Sequence, residues 1–234
     1  MAGLSTSRCG WIALATMACG LAALATALPA SAQLDPRRGP PGCVPASERQ
    51  MERGCYILVS HPLGELPSGA LFWHIDAYPG RAAAEAAKGP RGTVVEALGR
   101  TWLMSIAEAG YRPPGGERVA EAGPLTTTAG TGYTAAYMEG VMLPGAVTGV
   151  HHHPGPEAIH TLAGEECMET PAGRFVGRPG DAPIFVPADV PHRLTITGTA
   201  ERRSLALVLH VFSQPWAIRT HEHGWAPKGL CGSE

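Results

Sequence analysis

GAVTGVHHHPGPEAIHTLAG, residues 145–164, sets three consecutive histidines and a glutamate between two glycines. His151 and His153 are two apart, so in an extended strand both point to the same side. Glu157 follows Pro154-Gly155-Pro156, a turn able to swing the chain back. A fourth donor, His192, lies in RPGDAPIFVPADVPHRL, residues 178–194, after a second strand–turn unit. Three imidazoles and a carboxylate suit a divalent transition metal. On an octahedral ion they leave two positions for water, substrate or dioxygen. The competing reading is a polar loop that happens to be rich in histidine.

Working outward, short β-friendly runs alternate with turn signals supplied by 30 Gly and 22 Pro. They are YILVS (56–60), ALFWHI (70–75), TVVEAL (93–98), TWLMSI (101–106), YTAAYMEGVML (133–143), AIHTLA (158–163), APIFV (182–186), RLTIT (193–197) and SLALVLHVF (204–212). Turns at this spacing predict an all-β barrel or sandwich. The longest helix-friendly stretch beyond the N-terminus, RAAAEAAKG at 81–89, is too short to be more than marginal alone.

The pattern around the histidines resembles the cupin superfamily. That family's first motif, Gly-x5-His-x-His-x(3–4)-Glu-x6-Gly, is matched by Gly145, His151, His153, Glu157 and Gly164. Its second motif is matched by Gly180, Pro187 and His192. Asp189 stands where glycine is usual and Ile196 where asparagine is, and neither position is a ligand. The resemblance covers residues 133–212. It implies a jelly-roll barrel with His151, His153, Glu157 and His192 as ligands to Mn, Fe, Zn, Cu or Ni.

A shift of 65 residues places Pro79-Gly80 on Pro144-Gly145, Gly99 on Gly164, and Pro114-Gly115 on Pro179-Gly180. A duplicated chain with two tandem barrels follows as an expectation. At this offset the ligand positions fall on Ala86, Lys88, Gly92 and Thr127, so the first copy has lost its donors. The expected organisation is a lead-in at 33–55, a degenerate barrel at 56–130, a metal-binding barrel at 131–215 and a tail at 216–234. A single cupin with a long N-terminal extension is the alternative.

Arg8, the uncharged run Trp11–Leu28 and Ala30-Ser31-Ala32 describe a signal peptide, residues 1–32, cut after Ala32. A membrane anchor, or lipidation at Cys19, fits this composition less well. Export to an oxidising compartment, secreted or periplasmic, would leave Cys43, Cys55, Cys167 and Cys231, among which three pairings are open. A net charge of −2 gives no sign of a nucleic-acid or anionic-membrane partner.

Several other residues have expected places. His152 should face solvent and His160 a surface or interface. His210 should be a core histidine or a barrel-lining one. His221 and His223 should be incidental to the metal, and Glu139 is a candidate polar group near the pocket. Two functions compete: a metal-dependent enzyme (dioxygenase, decarboxylase or isomerase) and a module that captures a sugar or organic acid without turnover. A storage role fits poorly with intact ligands. A homodimer is expected from the family resemblance.

Overall fold

The computed structural model describes residues 42–219 and 224–232. The signal peptide, the first part of the lead-in, and His221 and His223 lie outside the described residues. In chain order the strands are β1 (Val44–Pro45), β2 (Gly54–Glu65), β3 (Leu71–Tyr78), β4 (Gly92–Ala97), β5 (Arg100–Glu108), β6 (Glu117–Leu125), β7 (Gly132–Met142), β8 (His151–His152), β9 (Glu157–Ala163), β10 (Glu165–Thr170), β11 (Gly173–Gly177), β12 (Ile184–Val186), β13 (Arg193–Thr197), β14 (Arg202–Val211) and β15 (Ile218–Arg219). The alanine-rich stretch forms a single short helix, α1 (Arg81–Ala87). Its Ala84 packs against Leu103 and Tyr78. No helix among the described residues is long and apolar enough to cross a membrane.

The all-β architecture expected from the strand pattern, and the jelly roll implied by the family resemblance, are what form. Its centre is a six-stranded sheet, β1-β2-β7-β14-β9-β12, buried on both faces. Alternation decides which residue goes where. Tyr137, Leu205, Leu207 and Leu209 turn to one side and join Trp73, Ile75, Trp102 and Met104 of the sheet β4-β5-β3-β6. Met138, Ala206 and Val208 turn to the other and meet Met168, Leu194 and Ile196 of the sheet β11-β10-β13. Burial on both sides is why SLALVLHVF reads as an unbroken apolar run instead of alternating.

The sheets do not divide at the expected boundary of 130/131. β2, from the N-terminal half, pairs with β7 along most of its length. Shifted by 65 residues, β4 falls on β9 and β5 on β10, yet the pairing differs. β4 and β5 form a hairpin in one sheet, whereas β9 and β10 belong to different sheets. The offset therefore repeats strand spacing without repeating topology.

Two disulfides settle the open pairing: Cys43–Cys55 beside the β1–β2 pair, and Cys167–Cys231, joining β10 to the tail.

Inside the jelly roll, Arg202 is ion-paired to Glu166, with both side chains almost wholly buried. Thr161 Oγ1 donates to the same carboxylate at 2.5 Å. Gly140 leaves the room: a Cβ there would meet the Arg202 guanidinium. Removing one partner strands the other charge in the core. Glu166→Ala is expected to cost roughly 3–5 kcal/mol in urea unfolding. Glu165→Ala, which breaks an exposed pair with Arg178, should cost at most about 1 kcal/mol.

Candidate metal centre

The site is assembled by backbone pairing. Residues 145–151 run antiparallel beside the chain from His192 through β13. Gly145 N–H donates to Ile196 O (2.8 Å), Ile196 N–H to Ala146 O (2.8 Å) and Thr148 N–H to Leu194 O (2.9 Å). The ladder ends at a bridge in which His151 and His192 exchange both hydrogen bonds, at 3.2 and 2.9 Å. This sets the two imidazoles face to edge, with ring centroids 4.3 Å apart. His153 follows on the same side, its ring 5.0 Å from His151 and 5.3 Å from His192.

Glu157 starts β9, the strand that carries it into the same space. The loop before it lies directly on β14: Leu209 N–H donates to Pro156 O (3.0 Å), and a Cβ on Gly155 would fall 1.7 Å from Leu209 O. Only glycine permits that approach. Asp189, where glycine is usual, adopts the left-handed conformation itself (φ 59°) and donates its N–H to His153 O at 2.8 Å. Asp tolerates this region better than most side chains, so the turn before His192 keeps its shape. Ile196 is core, 2% exposed.

All three imidazoles are held by Nδ1. His151 is paired with Gly149 O (2.9 Å), His192 with Val190 O (2.9 Å) and His153 with Trp216 O (2.7 Å). A carbonyl only accepts, so each Nδ1 carries the hydrogen and each neutral ring turns its Nε2 lone pair elsewhere. The histidines bring one nitrogen each to within 4.8 Å of one another, a set that could hold a metal ion. Glu157 Oε2 lies 3.1 Å from His192 Nε2, and Oε1 lies 3.7 Å from His153 Nε2. While the rings are neutral, His153 Nε2, His192 Nε2 and Glu157 Oε2 are buried and make no hydrogen bond. Buried acceptors facing one another are costly, and a shared cation satisfies them together. The donor set fits a divalent transition metal.

Burial pushes His151 down to about 4, with the neighbouring His192 acting in the same direction. Burial also lowers His153. For Glu157 burial would raise the carboxyl, but the imidazoles of His153 and His192 prevail and bring it to about 2. At His192 burial opposes the charge and Glu157 overcomes it, giving a net rise.

The four predicted residues thus come together, and others depart from expectation. His152 is 4% exposed, not solvent-facing, on a strand flanked by β15 with Ile218 directly opposite it. His160 is 5% exposed within the central sheet, not at a surface. Glu139 is not near these histidines. It lies on the opposite face of β7 from Met138, pairs with Arg49 and accepts from Leu98 N–H (3.2 Å) in a separate crevice of about 560 Å³. His210 is buried on the same face of β14 as Val208, the partner of Glu157. The contribution of Trp216 was not legible, since nothing local in QPWAIRT marks a main-chain carbonyl as a histidine's partner.

Residues 138–208 match the family model described as a cupin domain, which supports the cupin superfamily for that segment. No curated protein matches the sequence. A DMSP lyase of Ruegeria pomeroyi is 25% identical over 39% of this chain and 45% of its own, with a TM-score of 0.34. An oxalate oxidase with the substrate analogue glycolate is 17% identical over 37% and 45%, TM-score 0.30. A cupin-like protein of Thermotoga maritima is 21% identical over 38% and 64%, TM-score 0.33. The chain spans less than half the length of the two enzymes.

Gly155→Ala should destabilise the fold by about 1–3 kcal/mol, read from the denaturation midpoint, because backbone must move to admit the methyl. A pH effect also follows for the metal-free protein. His151 titrates near 4 when folded and near 6.5 when unfolded. Between those values only the unfolded chain holds the proton, so this group makes stability fall with acidification. His192, raised in the fold, opposes it. His151→Gln should therefore flatten the loss of stability between about pH 7 and about pH 5 in urea titrations.

Proposed function

We propose that this protein is an exported, metal-dependent cupin that acts on a small molecule. In this reading His151, His153, Glu157 and His192 hold one divalent ion of Mn, Fe, Ni, Cu or Zn. The observation that carries it is the convergence of buried acceptors. Three histidines have Nδ1 committed to carbonyls, and the inward atoms of His153, His192 and Glu157 have no hydrogen-bond partner. When bound, such an ion supplies Lewis-acid polarisation of a substrate oxygen, activation of bound water or, if redox-active, dioxygen chemistry.

The chain's own residues prepare the ground. The Nδ1 bonds fix the rings in the tautomer that offers Nε2, and burial keeps His151 and His153 neutral, in the form that can ligate. Glu157 stays ionised beside them and offsets the ion's charge. The two disulfides and the N-terminal composition support folding outside the cytoplasm.

Within this reading we favour an oxygenase or another small-molecule transformation. The second reading, capture of a sugar or organic acid without turnover, draws support from Glu139. The group considered as a general acid or base faces the other side of the central sheet. Elemental analysis of protein purified from its own compartment tests the metal assignment. Wild type should carry a transition metal, and His153→Ala, folded by circular dichroism, should lose most of it. Equal metal content in the two proteins refutes the ligand set.

A further inference from the structure

Two of the three imidazoles are oriented from within their own loops: Gly149 and Val190 each lie two residues from the histidine they hold. His153 differs. Its acceptor, Trp216 O, comes from 63 residues further along the chain. The Trp216 ring also stacks on the His153 ring, with centroids 5.6 Å apart and an interplanar angle of 19°. Just beyond it, β15 pairs with β8, setting Ile218 opposite His152 and Arg219 opposite His151. The segment from Phe212 to Arg219 therefore forms a strap along the histidine strand, with Trp216 packed against the jelly-roll core.

The strap is tied on both sides. At its start Phe212 N–H donates to Gly132 O (2.9 Å), and Gln214 N–H to Val211 O (3.0 Å). On its far side Cys231, 2% exposed, is bonded to Cys167 of β10. Lys228 N–H donates to Glu169, and Arg174 donates to Leu230 O (3.0 Å). Short two-residue pairings such as β8–β15 are weak alone, so the packing of Trp216 on the core and the anchors along this carboxy-terminal stretch add to what keeps Trp216 against His153.

We infer that the strap completes the metal centre: Trp216 is a positioning residue for His153, and the Cys167–Cys231 disulfide keeps it seated. This rests on the metal reading above. An outer partner that fixes ring orientation and tautomer is worth 10–100-fold in metal affinity, so the strap sets how firmly the ion is retained. The other disulfide, Cys43–Cys55, ties β2 to the segment beside β1 instead of anchoring the carboxy-terminal stretch.

Cobalt(II) titration of the full-length protein, followed by its visible d–d spectrum, tests the inference. Trp216→Ala keeps the main-chain carbonyl but removes the stacked ring that seats it, so it should bind cobalt about 10-fold more weakly with an altered spectrum, and Trp216→Phe should recover most of the affinity. The double substitution Cys167→Ser with Cys231→Ser should weaken binding as well. Cys43→Ser with Cys55→Ser should leave it unchanged, even if its metal-free melting temperature falls. Wild-type protein that takes up no cobalt refutes the metal reading and takes the strap with it. If wild type binds and Trp216→Ala matches it in affinity and spectrum, the strap's role is overturned alone. Unchanged affinity in a folded Cys167/Cys231 variant removes the disulfide from it. If that variant does not fold, the Trp216 pair decides.

Discussion

The backbone ladder between residues 145–151 and 192–196 is the constraint on which the rest depends. It joins two segments far apart in sequence with hydrogen bonds of 2.8–3.2 Å and ends on the His151–His192 bridge. Register matters here because side chains alternate. A slip of one residue would turn His192 to the other face and leave Glu157 and His153 facing nothing. The apolar residues of the same ladder resist that slip, since Leu194 and Ile196 fill the core between the two sheets.

A layer of carbonyls outside the histidines does the second part of the work. Fixing three Nδ1 atoms leaves inward-pointing acceptors whose mutual proximity is unfavourable without a cation. The fold thus holds these side chains apart from alternative partners, in an arrangement that could hold an ion. That arrangement needs a rigid frame. The central sheet provides one by being packed on both faces, with β3–β6 on one side and β10, β11 and β13 on the other. The four-stranded layer carries no histidine of the cluster, and its part is to bury the outer face of β7 and β14.

Much of this was legible in the chain. The turn-rich, strand-length runs foretold the fold class, and the two motifs of the cupin resemblance named the four residues that converge. Legibility failed wherever burial came from a distant segment. His152 and His160 were placed outside because a polar side chain opposite a ligand in an alternating strand normally meets solvent. Here Ile218 of β15 stands directly beside the first, and the layered central sheet buries the second. Glu139 lies away from the histidines because proximity in sequence to the first motif says nothing about which face of β7 a residue occupies. The 65-residue offset captured equal spacing of turns, but hairpin pairing and sheet crossing cost the same number of residues.

By itself the sequence determined the all-β class, the four residues that converge and the turns that deliver them. These depend on local rules: alternation in strands, glycine or a tolerant residue at positive φ, proline at the bends. Only the tertiary structure decided the disulfide pairing, the three-layer packing and the carboxy-terminal carbonyl that orients His153. Each of those pairs groups separated by many residues, and their partner choice is set by what the whole core leaves adjacent, which no local pattern encodes.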